Sequence, residues 1–278
     1  MRSRDGSLVF FTVLSQWSIG IIACLTGLMY FSNNPVVYVE PGLNLANPVF
    51  LSLLLILAAT TMSFLHLGNP ANAPGALRNL ATSWLSREIL AIGIFSFSLV
   101  VMLGVSWTMG DSRIPANLLV PATLTGVFLL WTMIRVYLIP TIPAWNSAYT
   151  PLSFVSTTLC LGLVSCLVFM LEKQASVFCI GLLVAVLILE MISALLHQHQ
   201  LVNMDTGIDG PTFDSGALYK LFLARMAVLL VACLWLIFLA LLPGDEHLPW
   251  LYPVLVLVIL QEFAGRLLFY ASYFRTGL

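Results

Sequence analysis

The stretch SFLHLGNPANAPGALRNLATSWLSREIL at 63–90 is the first place where the long apolar runs of this sequence are broken by a histidine, prolines and a glutamate. Gly68 and Pro70 can stop a helix just after His66, because neither glycine nor proline continues one well. Ser86 can cap the next helix, which puts Glu88 in its first turn. Two apolar helices therefore end and begin on the same face of a membrane, with His66 at one lip and Glu88 at the other.

Outward from this stretch the chain stays greasy. Of its 278 residues 60% are hydrophobic and 8% charged, against roughly 25% charged in soluble globular domains. That composition belongs to an integral membrane protein. A net charge of −1 with no long basic run excludes a nucleic-acid-binding role. The five cysteines (Cys24, Cys160, Cys166, Cys179 and Cys233) lie inside apolar runs without C-x-x-C spacing and read as small core residues. Ile21 to Cys24 resembles a lipoprotein junction, but the apolar run continues through Phe31, so an uncleaved first helix is expected.

Runs long enough to cross a hydrocarbon core of ~30 Å lie at about 8–31, 47–67, 86–109, 116–139, 151–171, 175–196, 217–242 and 249–274. They lack the period-two alternation of barrel strands. The expectation is an all-α integral membrane protein: an eight-transmembrane-helix bundle forming a single polytopic domain over 1–278. No internal repeat is evident. With eight spans, the amino terminus, the even-numbered loops and the carboxyl terminus share one face, called face A here.

Arg2, Arg4, Arg78, Arg87, Arg135, Lys220, Arg225, Arg266 and Arg275 lie toward face A, and Arg113 and Lys173 toward face B. By the positive-inside rule face A would be cytoplasmic. Arg135, Arg225 and Arg266 fall within helices, however, where a charge is more often functional than topogenic.

Ionisable residues inside membrane helices are functional candidates by default. Here they are His66, Glu88, Arg135, Glu190, Arg225, Glu262 and Arg266, all in the half of the bilayer next to face A. The B half has essentially none, which argues against a transporter or channel with a charged path across the membrane. His66 at a helix carboxyl terminus sits where the macrodipole suits a cation, and Glu88 at an amino terminus where it suits an anion. Such a pair could take a proton from a bound hydroxyl and pass it on. Glu262 and Arg266, four apart on one helix face, are expected to pair with each other. Arg135 and Arg225 are expected to meet loop carbonyls, a partner surface or a ligand oxygen. Glu190 has no visible partner, and His197 and His199 fall at the edge of an acidic loop. The histidines are wrongly placed to ligate haem from two sides, and neither an iron–sulfur cysteine set nor a metal site is present.

Several motifs, in order, span nearly the whole sequence: F-L-H-L-G-N-P at 64–70, L-S-R-E-I at 85–89, I-R-V-Y at 134–137, I-P-A-W at 142–145 followed by Thr150-Pro151, and A-G-R-L-L-F-Y at 264–270. In these the sequence resembles the membrane-anchor subunits of the anaerobic dimethyl sulfoxide reductase family. The resemblance implies a haem-free, metal-free, eight-helix anchor in the bacterial cytoplasmic membrane that binds menaquinol and oxidises it. Electrons would pass to an iron–sulfur subunit and then to a molybdopterin catalytic subunit. In that family the histidine of H-L-G and the glutamate of the S-x-E motif are implicated in quinol oxidation, and the matching residues are His66 and Glu88. Arg135, Arg225, Glu262 and Arg266 are then quinol-binding or partner-facing candidates, with the quinol between spans two, three, four and eight. The resemblance also implies a quinol site near the outer face, opposite to the charge count. A purely structural anchor without quinol chemistry is the other reading.

Overall fold

The computed structural model describes residues 3–31, 36–38, 43, 45, 47–66, 75, 77–109, 113–169, 173–204, 214–242 and 248–274. Eight long helices run through them: α1 Ser3–Phe31, α2 Pro48–His66, α3 Trp84–Met109, α4 Ala116–Tyr137, α5 Tyr149–Phe169, α6 Lys173–Val202, α7 Gly216–Leu241 and α8 Leu251–Ala271. Each coincides with one expected span. Seven are long and apolar enough to cross a membrane, whereas the apolar part of α2, Pro48–Phe64, is shorter. At about 1.5 Å per residue it lies at the lower limit for the hydrocarbon core. Helix α6 extends beyond its expected end, so His197 and His199 stand on a helix rather than in the acidic loop.

The all-α expectation misses one feature. Val36–Tyr38 (β1) and Arg113–Pro115 (β2) pair antiparallel, with Val37 opposite Ile114. Runs of three residues are too short for period-two patterning to show in a sequence. The ribbon ties the first connection to the third, both on face B.

The helices form two rings of four. In the first, α2 and α4 each pack against both α1 and α3; in the second, α6 and α8 each pack against both α5 and α7. Helix α1 also packs against α5 and α8, so the rings meet along it. This explains why 72% of the most apolar stretch of α1 is buried against 22% of that of α3: α1 is the shared wall and α3 faces outward.

Lipid tails give apolar helix faces little reason to prefer one another, so packing fit and hydrogen bonds decide which helices meet. Gly20 and Gly162 let α1 and α5 touch backbone to backbone. A Cβ on Gly162 would lie 2.8 Å from Cys24 Sγ and overlap the Gly20 carbonyl. Small polar groups add the rest. Ser18 and Ser52 join α1 to α2, each hydroxyl within 2.9 Å of the other residue's carbonyl. Trp17 Nε1 donates to Ser165 Oγ at 2.6 Å across α1 and α5, and the hydroxyls of Thr26 and Thr123 bond at 2.6 Å across α1 and α4.

Candidate functional site

Helix α3 starts at Trp84, two residues earlier than the apolar pattern suggests. Ser83 Oγ accepts the Ser86 N–H at 3.3 Å, so Ser83, not Ser86, caps the helix and Glu88 sits a full turn inside. That extra turn carries the carboxylate under cover: Glu88 is 3% exposed. Its Oε1 has no hydrogen-bond partner among the described residues. A buried polar atom left without a partner costs about 1–3 kcal/mol, so Glu88 Oε1 is an acceptor that the described residues leave open at this end of the bundle.

Glu88 lies close enough to Tyr137 and Tyr270 for its charge to act on both. The two phenols, at the face A ends of α4 and α8, are 2.5 Å apart and buried. An aromatic wall holds them: Trp145 stacks on Phe269 at 5.3 Å and donates Nε1–H to the Phe269 carbonyl at 2.8 Å. His66 is the last residue of α2, and α2 packs against α3. Its side chain lies outside the described residues, as do Gly68 and Pro70. The structure thus brings α2, α3, α4 and α8 to one end of the bundle around Glu88. Tyr137 and Tyr270 fall within sequence motifs but carry no signal of their own, because a tyrosine at a helix end has the signature of an ordinary interfacial belt.

Deeper in, Glu190, Arg225, Glu262 and Arg266 share a polar layer where α1, α5, α6, α7 and α8 meet. Arg225 Nη2 donates to Glu190 Oε1 at 2.5 Å, so Glu190, without an evident partner in the sequence, has one. Gln261 Nε2 lies 3.4 Å from Glu190 Oε2, and Cys160 Sγ lies 3.5 Å from the same oxygen. The expected Glu262–Arg266 pair is not formed. Thr157 donates to Glu262 Oε2 at 2.7 Å, while Arg266 Nη2 donates to Gln16 Oε1 at 2.5 Å and lies over the Phe154 ring at 4.0 Å. Spacing of four puts two residues on one face, but each here finds a better-placed partner on a neighbouring helix. Glu262 Oε1 and Arg266 Nε and Nη1 have no partner among the described residues.

Ligand-type atoms of Cys160, Glu190 and Glu262 lie within 4.8 Å of one another. The Arg225 guanidinium already supplies a positive charge to Glu190 within this cluster. A cavity of about 50 Å³ runs from face A down to Glu190 and Arg225 between α5, α6, α7 and α8, lined also by Ser153, Ser193 and His197. It has room for about three or four waters. His197 donates from Nε2 to the Ala144 carbonyl at 3.3 Å and stacks on Tyr149 at 5.1 Å, which gives it a structural role.

Arg135 stands apart from both groups. It is exposed, and its guanidinium lies 4.8 Å from the centre of the Trp84 ring. Among the described residues every buried charged side chain (Glu88, Glu190, Arg225, Glu262 and Arg266) lies between mid-depth and face A. That distribution suits a site entered from one side of a membrane and not a path through it.

The sequence profile described as DMSO reductase anchor subunit (DmsC) matches residues 2–272. The protein belongs to that family. It is accordingly a multi-pass membrane anchor of a reductase. Among its relatives is the C chain of anaerobic dimethyl sulfoxide reductase from Haemophilus influenzae, 27% identical over 285 residues that cover 98% of the present sequence and 95% of the relative. The protein of the same name from Escherichia coli K12 is 28% identical over 232 residues, covering 78% of the present sequence and 77% of the relative. In family terms, the matched region takes in Glu88, both phenols and the whole polar layer.

Proposed function

We propose that this anchor binds menaquinol at the face A end of α2, α3, α4 and α8 and oxidises it. The electrons go to a docked iron–sulfur subunit that serves a molybdopterin catalytic subunit in the bacterial cytoplasmic membrane. The observation that carries this reading is Glu88: a carboxylate buried at the rim of the bundle with one oxygen unpartnered among the described residues, within electrostatic reach of two phenols.

Oxidising a quinol to a quinone releases two protons and two electrons, so the site must accept hydroxyl protons where water is scarce. Glu88 Oε1 offers an acceptor that no described residue uses. It can take a hydrogen bond from one quinol hydroxyl and then its proton. His66, ending α2 on the same face, is the second proton acceptor, its imidazole suited to the task at neutral pH. The Tyr137–Tyr270 pair joins α4 to α8 and sets how deeply the ring sits. The electrons leave to the partner.

The structure also bears on orientation. Arg225 and Arg266 are spent in the polar layer, and Arg87 and Arg135 both lie against Trp84. Setting these four aside leaves five basic residues toward face A against two toward face B. The count still leans the same way but more weakly, and on this reading face A is the outer face, where an exported catalytic subunit would dock.

Glu88→Gln and His66→Gln, each in an assembled complex, test the reading. Quinol-dependent reduction is expected to fall by at least about a hundredfold, the scale of losing a general base, with activity from an artificial soluble donor retained. Unchanged quinol turnover in both variants overturns the assignment.

A further inference from the structure

We propose that Trp84, Arg87 and Arg135 form a binding site for the phosphate of an anionic phospholipid on the outer wall of α3 and α4, at the level of Glu88. Two guanidinium groups share one indole: the Arg87 Cζ lies 4.1 Å from the centre of the Trp84 ring and the Arg135 Cζ 4.8 Å from it. Trp131 meets the same indole edge-on at 5.0 Å.

No carboxylate pairs with either arginine among the described residues. The nearest acid in sequence, Glu88, is turned inward and buried. Arg87 spends Nε on the Leu80 carbonyl at 2.8 Å and Nη2 on the Ala81 carbonyl at 2.7 Å, which fixes its guanidinium against the ring. Arg135 donates no hydrogen bond to a described residue, so among these residues nothing engages its fork of donors. Both guanidinium groups bring positive charge to the same indole, and an anion bound at this wall offsets it, more strongly where water is scarce.

Location says which anion. Trp84 opens α3 and Arg135 stands in the last turn of α4, both at face A, the depth where tryptophans and snorkelling arginines meet the headgroups. The wall faces outward, since Arg135 is exposed and Trp131 and Leu85 are 48% and 55% exposed. The acceptor abundant there is the lipid phosphate, which a guanidinium fork grips through paired hydrogen bonds. A headgroup carrying its own amine would add a third positive charge, so an anionic lipid such as phosphatidylglycerol is favoured over phosphatidylcholine. The site is independent of the quinol reading. It bears on it only because Arg87 and Glu88 are neighbours on one turn.

Native mass spectrometry of the assembled complex in mild detergent tests this, with phosphatidylglycerol titrated against phosphatidylcholine. Wild type is expected to retain phosphatidylglycerol preferentially, Arg135→Gln to weaken its binding about fivefold, and Arg135→Lys to restore part of it. Arg135 is exposed and touches the Trp84 ring without a hydrogen bond to a described residue, so R135Q leaves the fold intact and decides the outcome even if an Arg87→Gln variant fails to assemble. Equal lipid retention by wild type and R135Q overturns the proposal. So does displacement by millimolar inorganic phosphate with no preference between the two lipids, which would mark a free-anion site. Loss of a partner subunit from R135Q with lipid retention unchanged also overturns it, in favour of a protein contact.

Discussion

Arg225 of α7 donates to Glu190 of α6 at 2.5 Å, the one ion pair among the described residues with both partners buried. It pins the second ring of helices at mid-depth, where the small cavity beside the pair has room for only a few waters to solvate either charge alone. Removing one partner strands the other. Glu190→Leu or Arg225→Leu should therefore destabilise the protein by about 3–5 kcal/mol, whereas replacing both with apolar residues of similar volume should cost much less. Thermal unfolding of the detergent-solubilised complex checks this, and additivity of the two single losses would contradict it.

Gly265 of α8 makes the pair possible. A Cβ there would lie 2.5 Å from the Arg225 Cζ, so Gly265→Ala must shift the guanidinium from its present place against Glu190. A loss smaller than that of R225L is expected, because the guanidinium is the far end of a flexible side chain and alanine is the better helix former by about 1 kcal/mol. A G265A protein as stable as wild type would show that Arg225 has room to move.

The phenol pair is a lighter contact. Tyr270→Phe removes one hydroxyl from the bond with Tyr137 and should cost about 1 kcal/mol in stability. If the pair positions the quinol, the Michaelis constant for quinol should rise more than the turnover number falls, with soluble-donor activity unchanged. A uniform fall with both donors would assign the pair to assembly alone.

Where the rings meet, Gly162→Ala should separate α1 from α5 and destabilise by about 1–3 kcal/mol, as overpacking does. The control is Gly181→Ala, whose added Cβ meets nothing within 4 Å. Thermal midpoints of the two variants should differ, and equal values would mean that the α1–α5 crossing tolerates a methyl group.

What is legible in the sequence follows from what the bilayer forces. Long apolar runs in lipid have to be helices, so every helix from α1 to α8 can be located, and the cost of buried charge singles out Glu88, Glu190, Arg225, Glu262 and Arg266. Pairing among those residues is not legible, because it depends on which helices touch. Glu262 prefers Thr157 on α5 and Arg266 prefers Gln16 on α1, neither of which is near in sequence. The shared wall α1 is hidden for the same reason, since its composition matches that of the lipid-facing α3. Ser83 rather than Ser86 as the cap of α3 is a matter of one turn, obscured because Trp84 and Leu85 read equally well as the end of a loop.

The β1–β2 ribbon has a consequence for biogenesis. Val36–Tyr38 cannot pair until Arg113–Pro115 has been made and carried to face B, and by then α2 and α3 have both emerged between them. The ribbon is thus a clasp that closes late: it holds the second and third helices inside a completed loop of polypeptide.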